Sequence, residues 1–198
     1  MTNITLRTLM GLPTKPAGIA SSALIMVDLQ NTYTRGVMAL EGVEAAVDQA
    51  AILLARFRDA GRPVIHIVHD AGAGSPYDLN DEIGQIIAAV APQNGEPVIA
   101  KNYPSSFEKT NLDTQLKALG VNDIVLAGFM THMCINSTAR AAFNLGYSPT
   151  IVASTTATRA LPVVGGGEVP AKAVHEAALA GVADLFALVI PNVETLEI

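Results

Sequence analysis

The chain has few of the residues from which large charged or aromatic binding surfaces are built. It contains no tryptophan, 5 % aromatic residues, and 12 lysines and arginines against 18 aspartates and glutamates. A net charge of −6 does not attract a phosphate backbone, and the sequence has neither a basic cluster nor an aromatic platform, so no nucleic-acid partner is expected. A small molecule is the partner that this composition favours.

Cysteine and long apolar segments are also scarce. The one cysteine, Cys134, cannot form a disulfide within the chain, and the first seven residues lack the charged and then apolar pattern of a signal peptide. These two features predict a cytoplasmic protein. The apolar runs are much shorter than the roughly 20 residues that cross a bilayer, so no transmembrane segment or membrane partner is expected.

Half of the 198 residues are hydrophobic, which is enough for a substantial core. Residues 1–20 are polar and interrupted by proline and glycine, and we expect an arm on the surface or on a neighbouring subunit. No linker or internal repeat divides residues 21–198, which are predicted to form a single domain. The arm and the low polar content leave apolar surface to cover, which predicts a homo-oligomer, a dimer or a tetramer.

Apolar strands alternate with helices through the whole chain. Strands are expected at 23–27, 63–70, 97–100, 150–153 and 186–190, with one more that begins at Asp123 and breaks at Gly128. Helices are expected at 43–60, 83–90, 112–119 and 171–180, and after Gly128. This alternation predicts an α/β fold with a mostly parallel sheet covered on both faces. Ligands of such sheets bind outside the carboxyl ends of the strands.

Cys134 follows the strand that begins at Asp123, at the start of an alanine-rich segment with helical spacing. A thiol in the first turn of a helix lies at the positive end of the helix dipole, which lowers its pKa and favours the reactive thiolate. We therefore hypothesise that Cys134 is a nucleophile. The alternative is a small apolar residue of the core.

Asp28 ends the first predicted strand and Lys101 ends the third, so both are expected at the sheet edge that carries Cys134. There Lys101 would stabilise the thiolate, and Asp28 would accept the thiol proton and return it to a leaving amine. Each also has an ordinary alternative, a cap of the next turn for Asp28 and a solvated surface charge for Lys101. Together the three residues provide the groups for acyl transfer.

The motifs around these residues resemble one family, the isochorismatase-like cysteine hydrolases. The resemblance is carried by Asp28-Leu29-Gln30-Asn31, by Lys101 with Ser106-Phe107 behind it, and by the run Gly128-Phe129-Met130-Thr131-His132-Met133-Cys134-Ile135-Asn136-Ser137-Thr138-Ala139-Arg140. The spacing Gly-x-x-Thr-x-x-Cys-[Val/Ile]-x-x-Thr-Ala-Arg is highly specific, and the similarity covers residues 20 to 190 approximately.

The resemblance implies a Rossmann-like three-layer sandwich with a six-stranded, mostly parallel sheet. It also implies a triad of Asp28, Lys101 and Cys134 that hydrolyses amide-type C–N bonds through a thioester, without a cofactor. Members of the family have a cis peptide bond just after the motif glycine, and the resemblance places it between Phe129 and Met130 here. The backbone N–H groups of Met130 and Cys134 would then hold the oxyanion.

The sequence differs from some members of this family at the positions that would hold a metal ion. Nicotinamidase-like members carry an Asp-x-His…His metal set after the second strand, but here the segment 69–74 has no second histidine close behind His69. No metal is therefore expected, and His66 and His69 are interpreted as structural or pocket-lining residues. Residues beside the triad at strand ends are candidates for binding the substrate, with core packing as the alternative: Gln30, Tyr33, Tyr103, Phe107, Phe129 and His132.

Two alternatives to amide hydrolysis stay open. True isochorismatases, by the same resemblance, use the aspartate and do not need the cysteine, so the presence of Cys134 favours amide over vinyl-ether hydrolysis. The second alternative is a catalytically silent binding protein on the same fold. Either the loop Ala71–Asp81 or a neighbouring subunit is expected to cover the site.

Overall fold

The computed structural model describes residues 4–93 and 95–197. The strands are β1 (Ser22–Val27), β2 (Val64–His69), β3 (Val98–Lys101), β4 (Asp123–Phe129), β5 (Ser148–Ala157), β6 (Leu161–Pro162), β7 (Glu168–Val169) and β8 (Leu188–Ile190). Six of them form one sheet in the order β3-β2-β1-β4-β5-β8, with every neighbouring pair parallel. The predicted parallel sheet is confirmed.

Helices cover both faces of this sheet. They are α1 (Leu6–Leu9), α2 (Val43–Asp59), α3 (Leu112–Ala118), α4 (Asn136–Asn144) and α5 (Ala171–Ala183). The apolar side of α2 packs with one core cluster, and α3, α4 and α5 contribute to the other. The result is the expected three-layer α/β sandwich.

Strand β1 lies at the centre of the sheet, and all six of its residues are buried. Because successive side chains of a strand point to opposite faces, Leu24 and Met26 join the α2 cluster while Ile25 and Val27 join the other. Each fully buried aliphatic side chain stabilises the fold by about 1.5–3 kcal/mol. The strand that leads to Asp28 is therefore packed on both sides.

The prediction of a helix at 83–90 is wrong. The segment forms two short 3₁₀ turns, Glu82–Gly84 and Ala88–Val90, with extended backbone between them. Ile86 pairs with Gln30, and the Ile87 N–H donates to the Leu29 carbonyl at 2.9 Å. These contacts with the loop after β1 replace the hydrogen bonds that a continuous helix would make.

The amino-terminal segment packs on its own chain. The Arg7 guanidinium donates to the carbonyls of Leu185 and Pro13, each at 2.9 Å, and the Arg7 N–H donates to the Asp184 carbonyl at 2.8 Å. Ile19 is fully buried in the α2 cluster. Residues 4–20 therefore lie against the end of α5 and the core, while the opening residues 1–3 fall outside the described part of the chain.

Among the residues that the structure describes, no helix is long and apolar enough to span a bilayer.

Candidate active site

The three predicted catalytic residues lie at the carboxyl edge of the sheet. Asp28 directly follows β1 with a φ of 50°, and Lys101 is the last residue of β3. Cys134 lies in a single π-helical turn, Thr131–Ile135, that joins β4 to α4. Cys134 thus precedes the regular helix, which begins at Asn136, and does not sit in its first turn.

The side chains of these residues converge below the protein surface. Lys101 Nζ lies 2.7 Å from Asp28 Oδ2, and neither side chain has any solvent exposure. The same Nζ lies 3.4 Å from Cys134 Sγ, and Cys134 is 5 % exposed. Because β2 separates β1 from β3, the long lysine side chain reaches past one strand to make both contacts. The structure therefore brings all three residues together.

Burial raises the pKa of both acidic groups in this site, the Asp28 carboxyl and the Cys134 thiol. It raises the pKa of Asp28, against the attraction of the neighbouring Lys101 charge. It also raises the pKa of Cys134 to about 12, and the Asp28 charge acts in the same direction. The expectation that Cys134 has a lowered pKa is wrong, because removing the thiol from water outweighs the nearby lysine. A thiol with this pKa is neutral at pH 7.

The Asp28 carboxylate is only partly satisfied. Its Oδ2 forms the ion pair with Lys101, but neither of its two buried oxygens has a hydrogen-bond partner of suitable geometry in the described part of the chain. A buried carboxylate oxygen without a donor is an uncompensated cost in the resting fold. It is also an acceptor that is available to a proton from the thiol or from a bound molecule.

The turn that carries Cys134 begins with an unusual backbone. The Phe129–Met130 peptide bond is cis, as the resemblance implied. The Met130 carbonyl accepts from the N–H groups of Met133 at 3.0 Å and Ile135 at 3.3 Å, which closes the π-helical turn. Within residues 4–93 and 95–197, nothing accepts a hydrogen bond from the Met130 N–H. The predicted oxyanion role of Met130 and Cys134 needs such a free donor.

Just before that bond, Gly128 has a φ of 123°. A Cβ at this position would lie 1.9 Å from the Val27 carbonyl oxygen, so β4 approaches β1 too closely for any other residue. The motif glycine therefore allows the strand that leads to Cys134 to lie directly beside the strand that leads to Asp28.

His69 and Gln30 support the lysine. His69 Nδ1 lies 3.3 Å from Lys101 Nζ, and burial followed by the lysine charge lowers the pKa of His69. The neutral imidazole can therefore accept from the ammonium group. The Gln30 amide donates to the carbonyls of His69 at 2.9 Å and Gly84 at 2.7 Å and accepts from the His69 N–H at 2.9 Å.

A layer of aromatic rings lies beside the triad. Tyr33 is buried and packs edge-on against Phe129 at 5.6 Å, and its hydroxyl accepts from Tyr77 at 3.3 Å. The Tyr77 ring contacts the His69 ring at 4.8 Å. Sequence reasoning missed Tyr77, although an aromatic residue in the glycine- and serine-rich loop 71–81 was a signal. That loop of the same chain therefore contributes a ring to the site.

Comparison with known proteins places the chain in a family. The family model described as Isochorismatase domain matches residues 22–192. The crystal structure of an isochorismatase from Pseudomonas putida KT2440 superposes with a TM-score of 0.94 at 36 % identity, over 98 % of this chain and all of that chain. The chain belongs to the isochorismatase family. It is a hydrolase, as its family relatives are.

Two curated relatives differ in the activity that their names state. A secreted isochorismatase effector of Verticillium dahliae is 30 % identical over 187 residues, which are 94 % of this chain and 96 % of that protein. A maleamate amidohydrolase of Pseudomonas putida is 40 % identical over 147 residues, 66 % of this chain and 69 % of that enzyme.

The remaining candidates for substrate binding in this isochorismatase-family hydrolase have other contacts. Gln30 is fully buried with both amide hydrogens used, so it positions the loops after β1 and β2. Phe107 stacks on Tyr147 at 5.6 Å, against the core that α3 and α4 cover. Tyr103 is 40 % exposed and accepts from Lys109 at 2.9 Å. His132 forms a 2.6 Å hydrogen bond to Thr158 through Nδ1.

His66 has a structural environment. It is 1 % exposed, and its Nε2 lies 2.9 Å from Glu96, which also pairs with Arg58 at 2.7 Å. Residues 4–93 and 95–197 contain no group of three or more histidine, cysteine, aspartate or glutamate side chains placed to hold a metal ion. The expectation of a metal-free enzyme stays a prediction.

Proposed function

We propose that this hydrolase cleaves the C–N bond of a small amide through a thioester on Cys134. The observation that carries the proposal is the position of Lys101 Nζ, 2.7 Å from Asp28 Oδ2 and 3.4 Å from Cys134 Sγ. A buried cation that touches both a carboxylate and a thiol has little use in a core but a direct use in making a thiolate. The similarity to a maleamate amidohydrolase supports the same reaction class.

Acylation starts from the neutral thiol. Sγ attacks the amide carbonyl while Asp28 takes the thiol proton, so the thiolate need not accumulate despite a pKa of about 12. Lys101 stabilises the negative charge that develops on sulfur. The new S–C bond forms a tetrahedral oxyanion, which the Met130 and Cys134 N–H groups would hold, a contribution of about 3–4 kcal/mol in comparable sites.

Acylation ends with the reverse proton transfer, and deacylation follows. Asp28 gives its proton to the leaving nitrogen as the C–N bond breaks, which releases ammonia or an amine and leaves the thioester. Water then attacks the thioester while Asp28 takes one of its protons. The S–C bond breaks, the thiol recovers the proton, and the carboxylic acid leaves. One buried carboxylate thus acts as base and acid in turn.

Ammonia release from a panel of small amides and carbamates tests this proposal. We expect the wild-type protein to release ammonia from some members and the Cys134→Ala variant to release none while unfolding at an unchanged temperature. Wild-type rates in the Cys134→Ala variant would contradict the thioester. A thiol that plays no part, as in a silent binding protein, would give no ammonia from the whole panel with either protein.

Isochorismatase activity is the second candidate, because an isochorismatase effector is similar to 94 % of this chain. Vinyl-ether hydrolysis would need the acid Asp28 and not the thiol. Formation of a dihydrodiol product and pyruvate from isochorismate, undiminished in Cys134→Ala, would favour this reaction over amide hydrolysis.

The homo-oligomer stays a prediction. Exposed apolar side chains that a second subunit could cover occur near the amino terminus at Ile4, Leu9 and Met10, and on the β6–β7 hairpin at Val163 and Val164. Sedimentation of the purified protein measures the assembly, and a monomer at micromolar concentration would refute it.

A further inference from the structure

The turn Thr131–Ile135, which we call the catalytic turn, places the Cys134 thiol. It is a single π-helical turn between the end of β4 and the first residue of α4, Asn136. Such turns are rare in proteins and frequent at functional sites. The contacts that fix the catalytic turn therefore bear on where the thiol lies.

Two hydrogen bonds join the start of the catalytic turn to separate parts of the fold. Thr131 Oγ1 lies 2.9 Å from Nδ1 of His175, a residue of α5. His132 Nδ1 lies 2.6 Å from Oγ1 of Thr158, which directly follows β5. Each bond pairs a histidine ring with a threonine hydroxyl, and we call the two of them the histidine–threonine bonds. They connect neighbouring residues of the turn to two different elements.

The partners in these bonds are themselves held in place. Thr158 is 2 % exposed, and its carbonyl accepts from the Glu41 N–H at 3.1 Å. His175 is half-buried on α5, and the Ala178 carbonyl of the same helix accepts from the Asn136 side-chain amide at 2.9 Å. Because both partners belong to packed elements, the bonds fix the turn relative to the sheet and to α5.

Burial makes the histidine–threonine bonds costly to lose. Thr131 is 1 % exposed, and a buried hydroxyl without a hydrogen bond is unfavourable. Burial also lowers the pKa of both His132 and His175, so each ring is neutral and its Nδ1 can donate or accept. Removal of either bond would leave a polar group unpaired and allow the turn to shift.

The lysine that contacts the thiol is anchored independently of the catalytic turn. Lys101 Nζ lies 2.7 Å from Asp28 Oδ2, and both side chains are fully buried. The 3.4 Å distance between this Nζ and Cys134 Sγ therefore depends on the position of the turn. A misplacement of about 1 Å between reacting groups can cost about 10²-fold in rate.

We propose that the histidine–threonine bonds position the nucleophile. They hold the catalytic turn so that Cys134 Sγ stays beside the Lys101 ammonium group, and the four residues that form them are positioning residues. This inference rests on the proposed amide hydrolysis. It assigns His132 a role in holding the turn, and it gives His175 and Thr158 a part in the reaction although neither belongs to the triad.

Three buried threonines allow a matched test by the same substitution. Thr131→Val and Thr158→Val each remove one histidine–threonine bond and keep the side-chain shape. Thr155→Val is the control, because Thr155 is fully buried and its hydroxyl donates to the Val152 carbonyl of its own strand at 2.8 Å. We expect kcat on a hydrolysed amide to fall about 10-fold in the first two variants with KM unchanged, and to stay at the wild-type value in the control.

Two results of this comparison would overturn the proposal. One is a wild-type kcat in both Thr131→Val and Thr158→Val. The other is an equal loss of kcat in Thr155→Val, because any buried hydroxyl would then have the same effect. Thermal unfolding of the three variants shows whether their stabilities are comparable.

The alkylation of Cys134 reports the position of the thiol without any substrate. Burial is the main cause that raises the pKa of Cys134 to about 12. If Thr131→Val loosens the turn and admits water, iodoacetamide should react faster than with wild type at neutral pH, and the midpoint of the pH profile should fall below about 12. Thr155→Val should follow the wild-type profile. An unchanged profile in Thr131→Val would overturn the proposal, because the thiol would not have moved.

A double-variant comparison assigns the effect to one bond. His175→Phe keeps a ring and removes the hydrogen bond to Thr131. If both substitutions act through that bond, the protein with His175→Phe and Thr131→Val should have about the kcat of either single variant. Losses that multiply would overturn the assignment. Thr131→Ser keeps the hydroxyl and should keep most of the wild-type kcat.

The failure of this proposal can be distinguished from the failure of the proposed amide hydrolysis. If the wild-type protein hydrolyses no amide but Thr131→Val still lowers the midpoint of alkylation, the positioning role stands and only the amide hydrolysis fails. If amides are hydrolysed and both Thr131→Val and Thr158→Val keep the wild-type kcat, only the positioning role fails.

Discussion

Lys101 and Asp28 form an ion pair from which solvent is fully excluded, with Nζ 2.7 Å from Oδ2 and no exposure of either side chain. A buried ion pair seldom stabilises a fold more than apolar residues of the same volume would. Its presence at the carboxyl edge of the sheet is therefore better explained by chemistry than by stability. That explanation leads to a test with single and paired variants.

Lys101→Met should destabilise the protein by about 3–5 kcal/mol, because it leaves the Asp28 carboxylate buried without its counter-ion. The double variant Asp28→Asn with Lys101→Met removes both charges and should recover much of that loss, yet stay inactive. Urea unfolding measures the stability of each protein. A double variant that is no more stable than Lys101→Met would show that the pair itself contributes most of the stabilisation.

The Cys134 thiol should react slowly with iodoacetamide at neutral pH. Burial raises its pKa to about 12, so the thiolate fraction at pH 7 is far below that of an ordinary cysteine. The alkylation rate should rise with pH up to about 12, because the fraction of Cys134 present as the reactive thiolate increases up to its pKa. Mass spectrometry over a pH series measures it. A rate that levels off near pH 7 would indicate a thiolate stabilised well beyond the effect of burial.

The Glu96 carboxylate should stabilise the fold in a pH-dependent way. Hydrogen bonds from Arg58 lower the pKa of Glu96 from 4.5 to about 2. A carboxylate with a lowered folded pKa contributes stability above its unfolded pKa and loses it as the pH falls towards the folded value. Glu96→Gln should therefore cost about 1–3 kcal/mol at pH 6, and the difference from wild type should shrink between pH 4.5 and 2. A difference independent of pH would assign the cost to packing.

Gly128→Ala should prevent or severely weaken folding, because the new Cβ would lie 1.9 Å from the Val27 carbonyl oxygen at a φ of 123°. Gly181→Ala is the matched control. Gly181 lies inside α5, with Arg140 at 3.9 Å as the nearest atom to an added Cβ, and alanine favours a helix by about 0.5–1 kcal/mol. Thermal unfolding measures the stability of both variants. A Gly128→Ala protein as stable as wild type would refute the close approach of β4 to β1 at this position.

Much of this site could be predicted because it depends on local patterns. The apolar run at 23–27 and the β-branched run from Asp123 are typical of buried parallel strands, and the residues at their ends follow from topology. The motif around Cys134 then fixed the family. These signals placed Asp28, Lys101 and Cys134 at one edge of the sheet, where the structure brings them into contact.

What could not be predicted depends on tertiary contacts. The pKa of Cys134 depends on how completely other elements bury it, and helical position alone gives the wrong direction. The segment 83–90 has helical spacing, but its backbone bonds to the loop after β1. Tyr77 comes from a loop whose path no periodicity describes. The contacts of Gln30, Phe107 and Tyr103 likewise follow from packing.

Detection of the thioester tests the central claim most directly. The protein is mixed with a small amide that it hydrolyses, and the reaction is stopped with acid within one turnover. The mass of the peptide that contains Cys134 is then measured by mass spectrometry. We expect the peptide to gain the mass of the acyl group without the amine, and the Cys134→Ala protein to gain none and release no ammonia. Full turnover by the Cys134→Ala protein, with no adduct on the wild-type peptide, would contradict the account.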